Sequence, residues 1–77
     1  MELTFGEKIR LLREELELNQ TALGKAVNMT QRKISYIENG TYEPGLDDIK
    51  AFCRYFNVSA DYLLGFSKNL PFPRKRN

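Results

Sequence analysis

The sequence predicts an all-α protein: one domain of five short helices. Three observations lead there. Apolar residues recur at spacings of three and four in one segment after another. Small polar residues suited to capping (Thr4, Asn19, Thr30 and Ser59) precede four of these segments, and Asn28, Gly40, Asn57 and Gly65, which tolerate a left-handed backbone, follow four. A length of 77 residues allows only one small core, and 42% hydrophobic with 29% charged residues is the composition of an ordinary globular chain.

The first helix is expected over about Phe5 to Leu16. Thr4 and Glu7 have capping-box spacing, and Phe5, Ile9, Leu12 and Leu16 share one face. Arg13 lies at the edge of that face, so its stem should pack while its head seeks a partner. Leu11 points away from the core. The second helix, about Gln20 to Val27, is capped by Asn19, braced by Leu18 against Leu23, and buries Leu23 and Val27. Asn28 turns the chain. The third helix is capped by Thr30, braced by Met29 against Ile34, and ends at Gly40, which makes residues 18–40 a helix-turn-helix.

Pro44 bars the third helix from continuing through the turn TYEPG. The fourth helix follows over about Leu46 to Phe56, with Leu46, Ile49, Phe52, Cys53 and Phe56 on one broad face and Asp47, Lys50 and Arg54 opposite. Ser59 caps a short fifth helix, about Ala60 to Leu64, with Val58 and Leu63 repeating the brace. Residues 1–66 are therefore read as the domain. Residues 67–77, with two prolines, no helical period and a basic end, are read as a flexible tail.

The third helix carries the chemistry. Ile34 and Ile37 share one side; Arg32, Ser35, Tyr36 and Asn39 lie opposite, with Gln31 at the N-terminal tip and Lys33 to the side. No acid occurs between Asn19 and Ile37. A solvated face normally mixes signs, whereas a helix entering the major groove needs long donors that do not repel phosphates. Gln20, in the first turn of the second helix, combines an amide with free backbone N–H groups, a combination that can grip phosphate.

The stretch resembles the helix-turn-helix of the Cro and phage-repressor family, also called the xenobiotic-response-element family. Leu18, Gln20, Leu23, Thr30, Ile34, Ser35, Ile37, Glu38, Asn39 and Gly40 fall in register with its pattern, which continues through Pro44 and Leu46 to NVSADYLLG, covering about residues 5 to 65. The resemblance implies a five-helix, lambda-repressor-like DNA-binding domain. It also implies that Arg13 pairs with Glu38; on the residues alone, two unconnected surface charges remain the alternative. Gly24 and Cys53 stand where the family usually has alanine. Glycine there fits a close helix crossing but costs roughly 0.8–1 kcal/mol in helix propensity. Cys53 is read as a small core residue, since nothing nearby in sequence would activate its thiol. Thr41, Tyr42 and Glu43 replace basic residues that many relatives carry.

These readings converge on a sequence-specific DNA-binding transcriptional regulator, a repressor binding a palindromic operator on double-stranded DNA as a homodimer. Base readout is expected from Gln31, Arg32, Tyr36 and Ser35. Phosphate contacts are expected from Gln20, Lys33, Asn39 and Thr30. The alternative is a protein-interaction module of the same fold, such as an antitoxin with a protein partner. An enzyme is not expected: there is no histidine, no metal-ligand cluster and no nucleophile beside a base, so neither cofactor nor metal is implied. The lone Cys53 makes no internal disulfide, no apolar run reaches membrane-spanning length, and MELTFGEKI does not read as a secretory signal, so a cytoplasmic, nucleoid-associated protein is expected. Residues 1–67 carry eight basic and ten acidic residues, whereas residues 68–77 carry four basic residues and no acid. The tail could be a solubilising end, an arm along the DNA, or a segment packing on a second subunit through Leu70 and Phe72.

Overall fold

A computed structural model describes residues 2–66. Five helices follow in order: α1 (Phe5–Glu15), α2 (Gln20–Val27), α3 (Gln31–Asn39), α4 (Leu46–Phe56) and α5 (Ala60–Leu64). The expectations for residues 67–77, including those for Leu70 and Phe72, lie outside the described residues. No helix among the described residues is long and apolar enough to cross a membrane.

Side-chain caps start four helices. The Thr4 hydroxyl accepts from the Glu7 N–H and the Glu7 carboxylate from the Thr4 N–H, while Asn19, Thr30 and Ser59 accept from Ala22, Lys33 and Tyr62. At α4 the sense is reversed: the Asp48 carboxylate accepts from the Gly45 N–H. All five helices stop alike. A residue in the left-handed region (Glu17, Asn28, Gly40, Asn57 or Gly65) reverses the chain, and the next N–H reaches back to a carbonyl five residues earlier. Four of these stops use Asn or Gly, which tolerate that conformation. Glu17, with φ 59°, is the fifth.

Ile9, Leu23, Val27, Ile34, Ile37, Phe52 and Leu63 form the buried core, one or more from every helix. Phe52 is fully enclosed, with Phe5 edge-on at 6.1 Å and Phe56 stacked at 6.2 Å. Removing apolar area of this kind from water is the main drive for so small a chain. Lys8 ties α1 to α5: its ammonium donates to the Tyr62 carbonyl at 2.7 Å and lies over the Tyr62 ring.

Two expectations need correction. α1 ends one residue early, and Leu16 is 52% exposed. The stop at Glu17 swings Leu16 out of the apolar row, and the Leu18 N–H reaches back to the Arg13 carbonyl, leaving Leu18 half-buried. Leu46 is 68% exposed. It opens α4 beyond what the five-residue α5 can cover, so Leu46, Ile49, Cys53, Ala60 and Leu64 line an open apolar groove rimmed by Lys50 and Arg54. The close approach expected at Gly24 is present, and alanine there would not recover the propensity cost. A Cβ there would collide with the Met29 carbonyl oxygen, a backbone atom that cannot swing aside. Gly6 does the same for α1, where a Cβ would meet the Ile37 and Glu38 carbonyls. Gly6 lets α3 pack closely on α1, and Gly24 lets the turn before α3 pass close to α2.

Candidate nucleic-acid interface

α3 is anchored by its inner side and wet on its outer side. Ile34, Ile37 and Glu38 are buried, while Gln31, Arg32, Tyr36 and Asn39 are exposed and Ser35 is half-buried. The predicted readout residues thus share one surface, over which Arg32 makes no ion pair among the described residues. Thr30 spends its acceptor on the Lys33 N–H at 3.0 Å but keeps a hydroxyl proton that can be donated outward.

Beneath this surface runs a directed chain of hydrogen bonds. Arg13 Nε donates to Glu38 Oε2 at 2.7 Å and Nη2 to Oε1 at 3.0 Å, a bidentate pair whose side chains are 12% and 2% exposed. The remaining Arg13 nitrogen, Nη1, donates to the Leu18 carbonyl at 2.8 Å. The hydrogen bond to Glu38 holds the Arg13 guanidinium above its ordinary range against the opposing cost of burial. Glu38 Oε1 also accepts from Gln20 Nε2 at 3.1 Å, and Gln20 Oε1 accepts from Gln31 Nε2 at 2.7 Å.

The polarity of that chain follows from chemistry. An ionised carboxylate only accepts, so Gln20 must turn its NH₂ toward Glu38 and its carbonyl toward Gln31. Gln31 must then spend one N–H inward. Its second N–H and its oxygen are left for a partner outside, a donor and an acceptor that complement the N7 acceptor and N6–H donor of adenine in the major groove. Gln20, expected as a phosphate contact, is therefore also the residue that orients Gln31. Sequence spacing could not reveal this, because residues 13, 20, 31 and 38 lie on three helices.

Lys33 is half-buried and turned toward α4. Its ammonium lies 2.9 Å from Asp48 Oδ1 and 5.2 Å from the centre of the Tyr42 ring. The Asp48 hydrogen bond raises the Lys33 pKa, with burial opposing. Burial pushes the Asp48 carboxyl up, but the Lys33 hydrogen bond, the Gly45 N–H and the Lys33 charge together bring it below the usual aspartate value. Lys33 was expected at a phosphate, and its pairing with an acid 15 residues on was not expected from the sequence.

The helix-turn-helix family model matches residues 9–63. The chain is 39% identical over 59 residues to the repressor protein C2 of Salmonella phage P22, covering 77% of this chain and 27% of that one. It is 32% identical over 65 residues to the antitoxin PezA of Streptococcus pneumoniae, covering 84% of this chain and 41% of that one. The chain thus spans from about a quarter to two fifths of the length of these relatives. Its fold is also that of the P22 c2 repressor crystallised with a synthetic operator, with a TM-score of 0.77 at 36% identity over 82% of this chain and 96% of that chain.

Proposed function

Because the chain belongs to the Cro and phage-repressor type of helix-turn-helix family, we propose that it is a sequence-specific DNA-binding transcriptional regulator encoded by a bacterium or phage, working in the cytoplasm as a repressor. The observation that carries this reading is the oriented Gln31 amide, presented beside Arg32 and Tyr36 on an exposed helix face. In this reading α3 enters the major groove. Gln31 reads adenine, Arg32 reaches guanine or a neighbouring base, and Tyr36 and Ser35 make lesser contacts. Gln20, Asn39, Thr30 and the helix N-termini hold the backbone. Selection of bound sites from random duplexes tests it. A motif with two related half-sites is expected, and enrichment of none would refute it.

The similarity to PezA favours one second reading, an antitoxin whose partner is a protein. A chain that enriches no DNA motif yet binds a protein encoded beside it would support that reading.

A palindromic site calls for a dimer, and the open groove of α4 and α5 supports one. The occupant proposed for it is a second copy of this chain. Leu46→Asp, at a position already exposed, should leave the domain folded and shift it to monomer in sedimentation. An unchanged dimer would mean that another surface is used.

A further inference from the structure

Two cations, Arg32 and Lys33, stand side by side in the first turn of α3, and the structure treats them differently. Arg32 is exposed and makes no ion pair among the described residues. Lys33 is held from two sides: by Asp48 Oδ1 at 2.9 Å, with side chains only 31% and 14% exposed, and by the Tyr42 ring at 5.2 Å. Asp48 is itself fixed, because its other oxygen accepts from the Gly45 N–H at 3.0 Å at the start of α4. This carboxylate cannot simply turn away without uncapping the helix it begins.

We infer that Asp48 is an internal counterion that withholds Lys33 from DNA, so that the Asp48–Lys33 pair sets how many phosphates the domain neutralises. This rests on the DNA-binding reading and deepens it. The major groove is about 12 Å wide and walled by phosphates, so a lysine in the first turn of a helix lying there has a phosphate within reach once its side chain extends. DNA phosphate and the Asp48 carboxylate compete for one ammonium, and the carboxylate is covalently present at every DNA concentration. Asp48 acts here as a positioning residue that lowers affinity. Tyr42 stands at this corner of the fold, and its side chain offers no replacement cation. The weak hold on the DNA backbone that results leaves a larger share of binding to the base-reading residues, and hence to sequence.

Salt dependence reads this directly, because each phosphate neutralised by a lysine adds about 0.9 to the slope of log affinity against log salt. The full chain is titrated by fluorescence anisotropy onto a mixed-sequence duplex of about 20 base pairs, where binding is almost wholly electrostatic. Asp48→Asn keeps an oxygen for the Gly45 N–H and removes the charge. It is expected to steepen the slope by about 0.9, so that raising salt from 50 to 200 mM costs roughly 3.5-fold more affinity than in the parent. Lys33→Gln alone should leave the slope unchanged, and the double variant should return to the parental slope. A parental slope in Asp48→Asn, a loss of about 0.9 in Lys33→Gln, or steepening that persists in the double variant would each overturn the inference while leaving DNA binding intact. If Asp48→Asn does not fold, Lys33→Gln decides alone, by the same two outcomes. Failure of the parent to bind any duplex would overturn both readings.

Discussion

Replacing Arg13 by methionine should nearly unfold the domain, and the reason is the isolation of Glu38. Its side chain is 2% exposed, and three hydrogen bonds hold it, two from Arg13 at 2.7 and 3.0 Å and one from Gln20 at 3.1 Å. Without Arg13 only the Gln20 amide remains, and a carboxylate is left buried with no counter-charge. Breaking a buried pair in this way costs about 3–5 kcal/mol. A domain of this size has a total stability of roughly 3–10 kcal/mol. The expected fall in Tm is therefore at least about 12 °C. Glu38→Met should cost less. Arg13 sits at the edge of the core with 12% of its side chain exposed, keeps its bond to the Leu18 carbonyl at 2.8 Å, and can turn its head toward water.

The double variant separates the pair from the packing. With both charges replaced by apolar side chains of similar length, no charge is stranded, so the double should be destabilised by about 2 kcal/mol less than the two singles combined. Urea unfolding followed by circular dichroism at 222 nm supplies the four stabilities. A coupling below about 1 kcal/mol, the value of an exposed pair, would refute the buried-pair reasoning. The same variants report on function. Glu38→Met removes the acceptor that orients Gln20, so preference for adenine at the position facing Gln31 should weaken even where the domain remains folded.

Gln31→Ala and Arg32→Ala should each flatten preference at one or two base pairs, by roughly 1–3 kcal/mol per position, in a selection repeated with the variant; an unaltered motif after Arg32→Ala would mean that another face reads the DNA. Gln20→Ala should weaken all sites and also relax the position read by Gln31, which a pure phosphate contact would not do. Glu17→Gly, which relieves a left-handed backbone at a residue with a Cβ, should raise stability by up to about 1 kcal/mol, seen as a Tm increase of a few degrees; a decrease would show that the Glu17 side chain contributes more than its backbone costs. Asp48 has a lowered folded-state pKa, so its contribution is present above the ordinary aspartate value of about 3.9 and is lost as pH falls through the lower folded value. The stability advantage of the parent over Asp48→Asn should accordingly shrink in acid, as urea midpoints at pH 7 and pH 3 would reveal, and an advantage that does not change with pH would exclude the ion pair as its source.

Local chemistry was enough to define the helices and most of their ends. Capping requires a short polar side chain beside free N–H groups, and stopping requires tolerance of a left-handed backbone, so both are written within a few residues: Thr4 with Glu7, Asn19, Thr30, Ser59, Asn28, Gly40 and Asn57. Glu17 escaped because its residue type argues against the conformation it adopts. The exposed side of α3 was equally legible, since Ile34 and Ile37 define the opposite side by periodicity alone. What each polar group does on that side was decided by neighbours distant in sequence. Residue spacing alone did not pair Arg13 with Glu38; the family resemblance implied that pair. The bonds that turn Gln20 into the support of Gln31 join residues 11 and 18 positions apart on different helices, and Lys33 meets an acid 15 residues on. Gly6 belongs to the same category, because the carbonyls its missing side chain would strike come from α3, whereas the close approach at Gly24 was already implied by the family resemblance. A helix's period records which side faces the core, whereas hydrogen-bond direction and close approach depend on how separate helices are set against one another, and only the packed tertiary structure determines that.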